Sequence, residues 1–247
     1  MSFKDHFSTH AKAYASFRPA YPPQLVDVLA DASPATSAGW DVGCGSGQLS
    51  TLLTRRFTAV LATDASQQQI DQAVPADRVA YLCRTAEASG FHERSVDCIV
   101  AAQAAHWFDL PRFVAECRRV GRPGALVALV TYGWAFVEPD LDRLMNGFAL
   151  ETLAAFWPPE RHHVDTGYRH LEFPLEPVEL PAVTMRATWT VDQLLGYVGT
   201  WSAVAALRKA GRGAVFDEFA TTFSSAWTGG AKTVEWPLII RAGRLER

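Results

Sequence analysis

The stretch DVGCGSGQ (41–48) joins a β-rich run, AGWDV (38–42), to a helical pattern. A glycine-rich loop between a strand and a helix is the context in which the backbone of an open parallel sheet contacts a ligand. Gly43, Gly45 and Gly47 allow unusual backbone angles and remove side-chain bulk, so a ligand can lie directly against the main chain. The segment therefore predicts the first strand–helix unit of an open parallel sheet.

Four more β-rich runs follow this loop, and helical patterns fill the intervals between them. Most of the runs are continuously apolar, as strands are when helices cover both faces of a parallel sheet. The alternation predicts a doubly wound α/β fold. The four runs are TAVLAT (58–63), RVAYLC (78–83), VDCIVAA (96–102) and GALVALVTY (124–132).

The composition changes after Tyr132, where six of the eight tryptophans are found. Residues 140–156 have a helical pattern, and the proline-rich residues 157–181 are typical of a loop. Two further β-rich runs, AVTMRATW (182–189) and TVEWPLII (233–240), predict two more strands with helical segments between them.

The overall composition is that of an ordinary globular protein, with 247 residues, 49% hydrophobic residues and a net charge of −3. The near-neutral charge argues against nucleic acid as a partner. The longest strongly apolar stretch, 125–130, is far shorter than a membrane span, and no apolar run follows the charges at the N-terminus. We therefore expect neither a membrane nor a nucleic-acid partner.

Cysteine and histidine spacing bears on metal binding and on the cellular compartment. The four cysteines fit no zinc-binding pair spacing, and without a secretory signal they are expected to be reduced thiols of a cytoplasmic protein. His162, His163 and Asp165 form a short cluster without further ligands nearby in sequence. We expect no metal site.

The charge of the glycine loop narrows the choice of ligand. Gln48 stands where the dinucleotide fingerprint GxGxxG has its last glycine, and the carboxylate of Asp41 would repel a diphosphate. The same carboxylate would attract a cation, and S-adenosylmethionine (SAM) carries an ammonium and a sulfonium but no phosphate. Asp64 ends the second strand, where a carboxylate can bind both ribose hydroxyls. Its alternative role is to cap the next helix, for which Ser66 competes.

Taken together, DVGCGSGQ, Asp64 and SVDCIVAAQAAHWFD (95–109) resemble the class I SAM-dependent methyltransferases. The resemblance is fullest over residues 10–132. Four runs together resemble the subgroup that includes trans-aconitate methyltransferase, namely AQAAHWFD (102–109), FRPAYP (17–22), YVGTWSAV (197–204) and TVEWPLIIRAG (233–243). The resemblance implies a mostly parallel seven-stranded sheet with a helical cap, between its fifth and sixth strands, over the acceptor site.

The resemblance also implies which residues would bind SAM. The loop residues would face its methionine part, Asp64 its ribose, and three small or polar residues its adenine, while Gln103 would lie beside the methyl donor. The family often has Leu-Pro in the loop after the third strand, where this chain has ASGFHE (88–93), so Phe91 is the candidate apolar wall. The implied cofactor residues are Asp41, Gly43, Gly45, Gly47, Asp64, Ala65, Thr85, Ala86 and Gln103.

Five residues are candidates for binding the methyl acceptor. His106 and Trp107 follow the fourth strand at the rim of the sheet, where His106 could act as a general base, or the two could simply form a cleft wall. Tyr14 and Arg18 belong to an N-terminal arm that could fold over the cleft as a lid, with the guanidinium binding a carboxylate; the alternative is an exposed arginine. Trp201 could line the acceptor site or belong to the core.

These observations predict a single domain, residues 1–247, in which four successive segments have different roles. Residues 1–37 form the arm and a helix, 38–132 the SAM-binding core, 133–232 the cap and acceptor region, and 233–247 the last strand and tail. The expected function is methyl transfer from SAM to a small molecule, with a carboxylate as one acceptor. Alternatives are an NAD-dependent oxidoreductase and a non-catalytic SAM-binding protein. The sequence leaves the oligomeric state open, with a monomer as one option.

Overall fold

A mixed sheet forms the centre of the computed structural model, which describes residues 18–246. Within that range the sheet has eight strands in the order β3-β2-β1-β4-β5-β8-β6, and β7 also pairs with β8. The first five strands are mutually parallel, and β8 is antiparallel to β5, β6 and β7. The strands are β1 Ala38–Val42, β2 Ala59–Asp64, β3 Val79–Cys83, β4 Val96–Ala102, β5 Gly121–Tyr132, β6 Glu176–Val178, β7 Thr184–Trp189 and β8 Lys232–Arg244.

Helices connect the strands, and local sequence signals set several of their ends. Asp109 accepts a hydrogen bond from the backbone of Arg112 and begins the helix Leu110–Val120, while Thr190 and Gln193 form a capping box at the start of the helix Val191–Gly199. The helices of the described residues are α1 Pro23–Ala32, α2 Gln48–Leu53, α3 Gln67–Asp71, α4 Leu110–Val120, α5 Pro139–Gly147, α6 Arg161–Asp165, α7 Val191–Gly199, α8 Ser202–Lys209 and α9 Gly213–Ala226. The helical elements also include two short 3-10 turns, Ala105–Trp107 and Ala154–Phe156, and one π-helical turn, Phe148–Thr152.

Strand β5 shows why the strands are continuously apolar. Leu126, Ala128 and Val130 pack into an apolar cluster on one face of the sheet, whereas their neighbours Val127 and Leu129 pack into a second cluster on the other face. All five side chains are fully buried. Successive strand residues point to opposite faces, so burial of both faces requires an unbroken apolar run.

All seven predicted strands are present, and the doubly wound, mostly parallel fold is confirmed. The eighth strand, β6, and helix α6 both lie in the stretch 157–181 that the prolines predicted to be a loop, so that prediction was wrong. Strand β6 has three residues, EPV, and pairs only with β8 at the sheet edge, where a proline is tolerated. In residues 18–246 no helix is long and apolar enough to cross a membrane.

Candidate active site

The glycine loop follows β1 at the edge where the carboxyl ends of the parallel strands meet. Gly43, Gly45 and Gly47 have φ angles of 67°, 56° and 87°, in the left-handed region that favours glycine. A Cβ on Gly43 would lie 2.5 Å from that of Ala104, and one on Gly47 would collide with the ring of Tyr81. Among residues 18–246, nothing lies nearer to a Cβ on Gly45 than a glutamine oxygen 3.8 Å away. Within this part of the chain, Gly45 therefore presents bare backbone to open space.

Asp41 lies beneath this loop as a buried carboxyl group, with 1% of its surface exposed. Its Oδ2 accepts a hydrogen bond of 2.6 Å from the hydroxyl of Ser50. Burial raises the pKa of Asp41 to about 7, which the Ser50 hydrogen bond opposes and the negative charge of Asp64 reinforces. A buried anion held by a neutral hydroxyl is costly, and a cationic ligand would lower that cost.

Asp64 ends β2 and is turned toward the glycine loop. Its Oδ2 accepts from the backbone amide of Gly45 and its Oδ1 from that of Ser66, each at 2.9 Å. The side chain of Ser66 caps α3, so the helix-cap role considered for Asp64 belongs to Ser66. A carboxylate oxygen can accept more than one hydrogen bond, so these contacts leave Asp64 able to bind hydroxyl donors.

The loop after β3 is anchored by the ion pair between Glu116, which is buried, and Arg119, which is partly exposed. Arg119 lowers the pKa of Glu116, and Glu116 accepts hydrogen bonds from the backbone and the hydroxyl of Ser89. The Phe91 ring lies edge-on to that of Trp40, with centroids 5.4 Å apart. Phe91 therefore packs against the core of the sheet in this structure.

The other adenine candidates lie at this end of the sheet. Ala65 directly follows β2, and its carbonyl accepts a 3.6 Å hydrogen bond from the Cys83 thiol at the end of β3. Thr85 pairs with Ala88 in a single bridge, and Ala86 is buried. Because β2 and β3 are parallel neighbours, these residues lie along the edge that carries Asp64.

Gln103 follows β4 with a φ angle of 55°, which is unfavourable for a residue other than glycine. Its amide nitrogen donates to the carbonyl of Tyr132 at 2.9 Å, and its amide oxygen accepts from the hydroxyl of Thr131 at 3.0 Å. The strained backbone is thus fixed by two side-chain bonds to β5. Gln103 immediately precedes Ala104, the residue against which Gly43 packs.

His106 lies in the turn after β4 and pairs with Tyr168, a residue that the sequence analysis missed. The distance from His106 Nδ1 to the Tyr168 hydroxyl is 2.9 Å, and Tyr168 is fully buried. Burial lowers the pKa of His106 to about 3, electrostatic interaction with Arg161 and with His163 contributes in the same direction, and burial raises the pKa of Tyr168. At neutral pH both members of the pair are uncharged.

Two of the predicted acceptor residues, Trp107 and Arg18, lie near the carboxyl ends of β4 and β5. Trp107 follows His106, with ring centroids 4.7 Å apart. Arg18 donates from Nη1 to the hydroxyl of Tyr132 at 3.0 Å, next to the end of β5. Tyr14 lies outside the described residues, so its role and that of the arm stay predictions.

Trp201 is 6% exposed and belongs to a cluster of aromatic rings. Its ring lies 5.5 Å from that of Trp134 and 5.6 Å from that of Trp157, and Tyr197 packs against its edge. The guanidinium of Arg161 covers this cluster, 4.3 Å from the Trp134 ring and 4.7 Å from the Trp157 ring. The sequence analysis missed Arg161, whose one signal was its place beside two histidines.

The short histidine cluster is built from ring stacking and one ion pair. His162 stacks on His170 with centroids 5.7 Å apart, and Arg161 pairs with Asp165 at 2.8 Å. Across the described part of the chain, no group of three His, Cys, Asp or Glu side chains could hold a metal ion.

The residues around Gly45 fit SAM better than they fit a phosphate-bearing cofactor. The loop offers open backbone beside two carboxylates, Asp41 and Asp64, and a diphosphate would meet both negative charges. The ammonium and sulfonium of SAM would be attracted by them instead. This loop, on a sheet of order β3-β2-β1-β4-β5 with an antiparallel β8, defines a Rossmann-like methyltransferase fold.

Comparisons with known proteins agree with that class. Residues 40–129 match the family model described as "Methyltransferase domain". A protein of Dictyostelium discoideum named as a methyltransferase is 31% identical over 229 residues, covering 91% of this chain and 87% of the relative. An uncharacterized methyltransferase of Mycobacterium tuberculosis is 39% identical over 127 residues, about half of each chain.

A solved structure named as a type II methyltransferase from Anaeromyxobacter dehalogenans is 45% identical, with a TM-score of 0.89 over 94% of this chain and 100% of its own. The chain therefore belongs to the class I SAM-dependent methyltransferases. The expectation drawn from DVGCGSGQ and Asp64 is confirmed at the level of the family.

Proposed function

We propose that this protein transfers the methyl group of SAM to a small molecule, with a carboxylate oxygen as the accepting atom. The open backbone at Gly45 between the carboxylates of Asp41 and Asp64 carries the proposal, because it suits a cationic nucleoside. A carboxylate acceptor is supported by the resemblance to the trans-aconitate methyltransferase subgroup. It is also supported by two arginines: Arg18 bonds to Tyr132 at the end of β5, and the charge of Arg161 acts on His106 after β4.

When bound, SAM supplies a methyl group already activated by its sulfonium. The protein must then hold the nucleophile in line, about 3 Å from the methyl carbon, in a site from which water is excluded. Rings of Trp134, Trp157 and Trp201 form an apolar wall beyond β5 that suits the exclusion of water. Asp64 would hold the ribose, and Gln103, fixed to β5, would order the strand end beside the methyl group.

The uncharged state of His106 supports a carboxylate acceptor. A histidine whose pKa is about 3 is a weak base, whereas a hydroxyl or amine acceptor needs a base poised near neutral pH. A carboxylate is already ionised at neutral pH and needs no base. We therefore propose that His106, held by Tyr168, positions the acceptor rather than removing a proton from it.

The proposed reaction is tested by methyl transfer and ligand binding. Protein incubated with methyl-labelled SAM and a panel of carboxylic acids should yield base-labile methyl esters, while the corresponding amides stay unlabelled. Calorimetry should detect binding of SAM and of S-adenosylhomocysteine but not of NAD(H). Binding of NAD without SAM would establish the oxidoreductase alternative, and SAM binding without labelling of any acceptor would favour the non-catalytic one.

The pH dependence of turnover should distinguish positioning by His106 from base catalysis. Because the pKa of His106 is about 3, kcat at saturating SAM should not titrate with this residue between pH 5 and 9. We expect His106→Ala to lower kcat by about tenfold at every pH in this range. Steady-state rates at each pH are the measurement, with Tyr168→Phe as a variant that keeps the histidine. An inflection near pH 6–7 that only His106→Ala removes would contradict the positioning role.

We also propose that the protein acts in the cytoplasm on a freely diffusing acceptor. The four cysteines are unpaired, as in a reducing compartment. The net charge of −3 supports neither a nucleic-acid nor an anionic membrane partner.

A further inference from the structure

We propose that Arg161 binds an anionic group of the methyl acceptor, a carboxylate distinct from the atom that receives the methyl group. This inference rests on the proposed function and adds to it a specificity residue outside the motifs of the sequence. It is carried by one unpaired donor of the guanidinium, by the way the side chain is held, and by its place beside His106.

The aromatic cluster and Asp165 hold the guanidinium of Arg161 in place. The faces of Trp134 and Trp157 lie 4.3 and 4.7 Å from it, within the range of cation–π attraction. Its Nε donates to Asp165 at 2.8 Å across one turn of α6. An arginine ordered in this way loses little further conformational entropy when it binds a ligand, which favours recognition.

One nitrogen of this ordered guanidinium has no hydrogen-bond partner among residues 18–246. Nη2 of Arg161 is shielded from solvent and bonds to none of these residues, and the same is true of Nδ1 of His163 on the same helix. Buried polar atoms are nearly always hydrogen-bonded, so an unpaired cationic N–H indicates a missing acceptor. The side chain as a whole keeps 19% of its surface exposed, so other atoms of Arg161 face solvent although Nη2 does not.

A carboxylate is the ligand that fits this nitrogen best. An arginine N–H is only a donor, and its hydrogen bonds to carboxylates are charge-assisted. Asp165 engages Nε, so its bond leaves Nη2 for a second anion. The ion pair with Asp165 is partly exposed, so it neutralises the guanidinium incompletely.

Arg161 lies on the acceptor side of the site. Its positive charge acts on both His106, which follows β4, and Tyr168, which follows α6 and bonds to His106. An acceptor held by Arg161 would thus extend past His106 toward the glycine loop. Because ion pairing weakens a carboxylate as a nucleophile, the group bound by Arg161 is a different one from the group that is methylated.

The test compares Arg161→Gln and Arg161→Lys with the control Arg169→Gln, since Arg169 is an exposed arginine on the same segment whose Nε donates to the Thr166 carbonyl. Succinate and glutarate are titrated into protein saturated with S-adenosylhomocysteine, and tryptophan fluorescence from Trp134 and Trp157 reports binding. We expect saturable binding of at least one diacid, none of succinamide or glutaramide, and a loss of at least tenfold in both Arg161 variants but not in the control.

Asp165→Asn tests the same idea without removing the arginine. Because Asp165 competes for the guanidinium, this variant should bind the diacid at least twofold more tightly, so the proposal stays testable if the Arg161 variants fail to fold. The proposal is overturned if wild-type protein loaded with S-adenosylhomocysteine binds neither diacid, or if the folded variants bind it unchanged. A tenfold loss of S-adenosylhomocysteine affinity in Arg161→Gln would also overturn it, by assigning the residue to the cofactor. Failure of the wild-type protein to bind S-adenosylhomocysteine would instead contradict the proposed function.

Discussion

Asp41→Asn should reduce the affinity for SAM at least 100-fold at pH 8 while making the ligand-free protein more stable. The carboxyl group of Asp41 is buried beside a neutral hydroxyl, and burial raises its pKa from 3.8 to about 7. Ionised, it attracts the ammonium of SAM; without the ligand, the same charge is a cost to the folded state. Asparagine keeps an oxygen that can accept from Ser50 but carries no charge.

The sign of the stability effect follows from the raised pKa. The unfolded chain releases the Asp41 proton near pH 3.8 and the folded chain near pH 7, so the unfolded state gains stability between these values. A difference of roughly three pKa units corresponds to a penalty of no more than about 4 kcal/mol, fully present above pH 7. The free energy of unfolding of the wild type should therefore fall from pH 4 to pH 7, and that of Asp41→Asn should fall less.

Urea unfolding at pH 5, 6.5 and 8, together with calorimetric SAM binding at pH 6 and 8, measures both effects. Wild-type affinity should increase with pH as Asp41 ionises, and the increase should be absent in Asp41→Asn. Asp71→Asn is the matched control, because Asp71 is an exposed acid on α3 whose bond is to a neutral glutamine. If SAM affinity in Asp41→Asn stayed within threefold of the wild type, Asp41 would serve only to anchor the loop through Ser50.

The parallel half of the fold could be predicted because its signals are local. Strand β5 is buried on both faces, so its sequence is apolar throughout, and Pro111 and Gly121 mark the ends of α4. Strand β6 gave no such signal, since three residues with a central proline form a strand only where β8 offers an edge. Helix α6 has five residues, too few for an apolar periodicity to be visible.

The candidate active site, too, could be predicted from the sequence only where its residues form a local motif. The glycine loop is a contiguous motif, and Asp64 lies at a recognisable distance from it at the end of the next strand. The residues on the acceptor side come together only through the tertiary fold: His106 and Tyr168 are 62 positions apart, and Arg18 and Tyr132 are 114 apart. The sequence around Arg161 offered only the two adjacent histidines as a signal, because its partners Trp134 and Trp157 are aligned with it by packing rather than by spacing.

Gly45→Ala should weaken SAM binding strongly in a protein that still folds, whereas Gly43→Ala should impair folding itself. Both glycines have positive φ angles, at which a Cβ costs roughly 1–2 kcal/mol. At Gly43 the added carbon would also lie 2.5 Å from the Cβ of Ala104, which raises the expected loss of stability to about 3 kcal/mol or more. At Gly45 the protein leaves room for it, so the loss there should not exceed about 2 kcal/mol.

Comparison of Gly43→Ala with Gly45→Ala separates the steric role of the loop in folding from its role in SAM binding. If SAM lies against the backbone of Gly45, the new methyl group occupies space that the ligand needs, and affinity should fall at least 100-fold in a protein that still unfolds cooperatively. Urea unfolding and calorimetry on both variants give the two quantities independently, with Gly229→Ala as a control, since it has a φ angle of 83° in open space far along the chain. Near-normal SAM affinity in folded Gly45→Ala would mean that the ligand does not approach this backbone. The carboxylates of Asp41 and Asp64 would then have to be explained as anchors of the loop, through Ser50 and through the amide of Gly45.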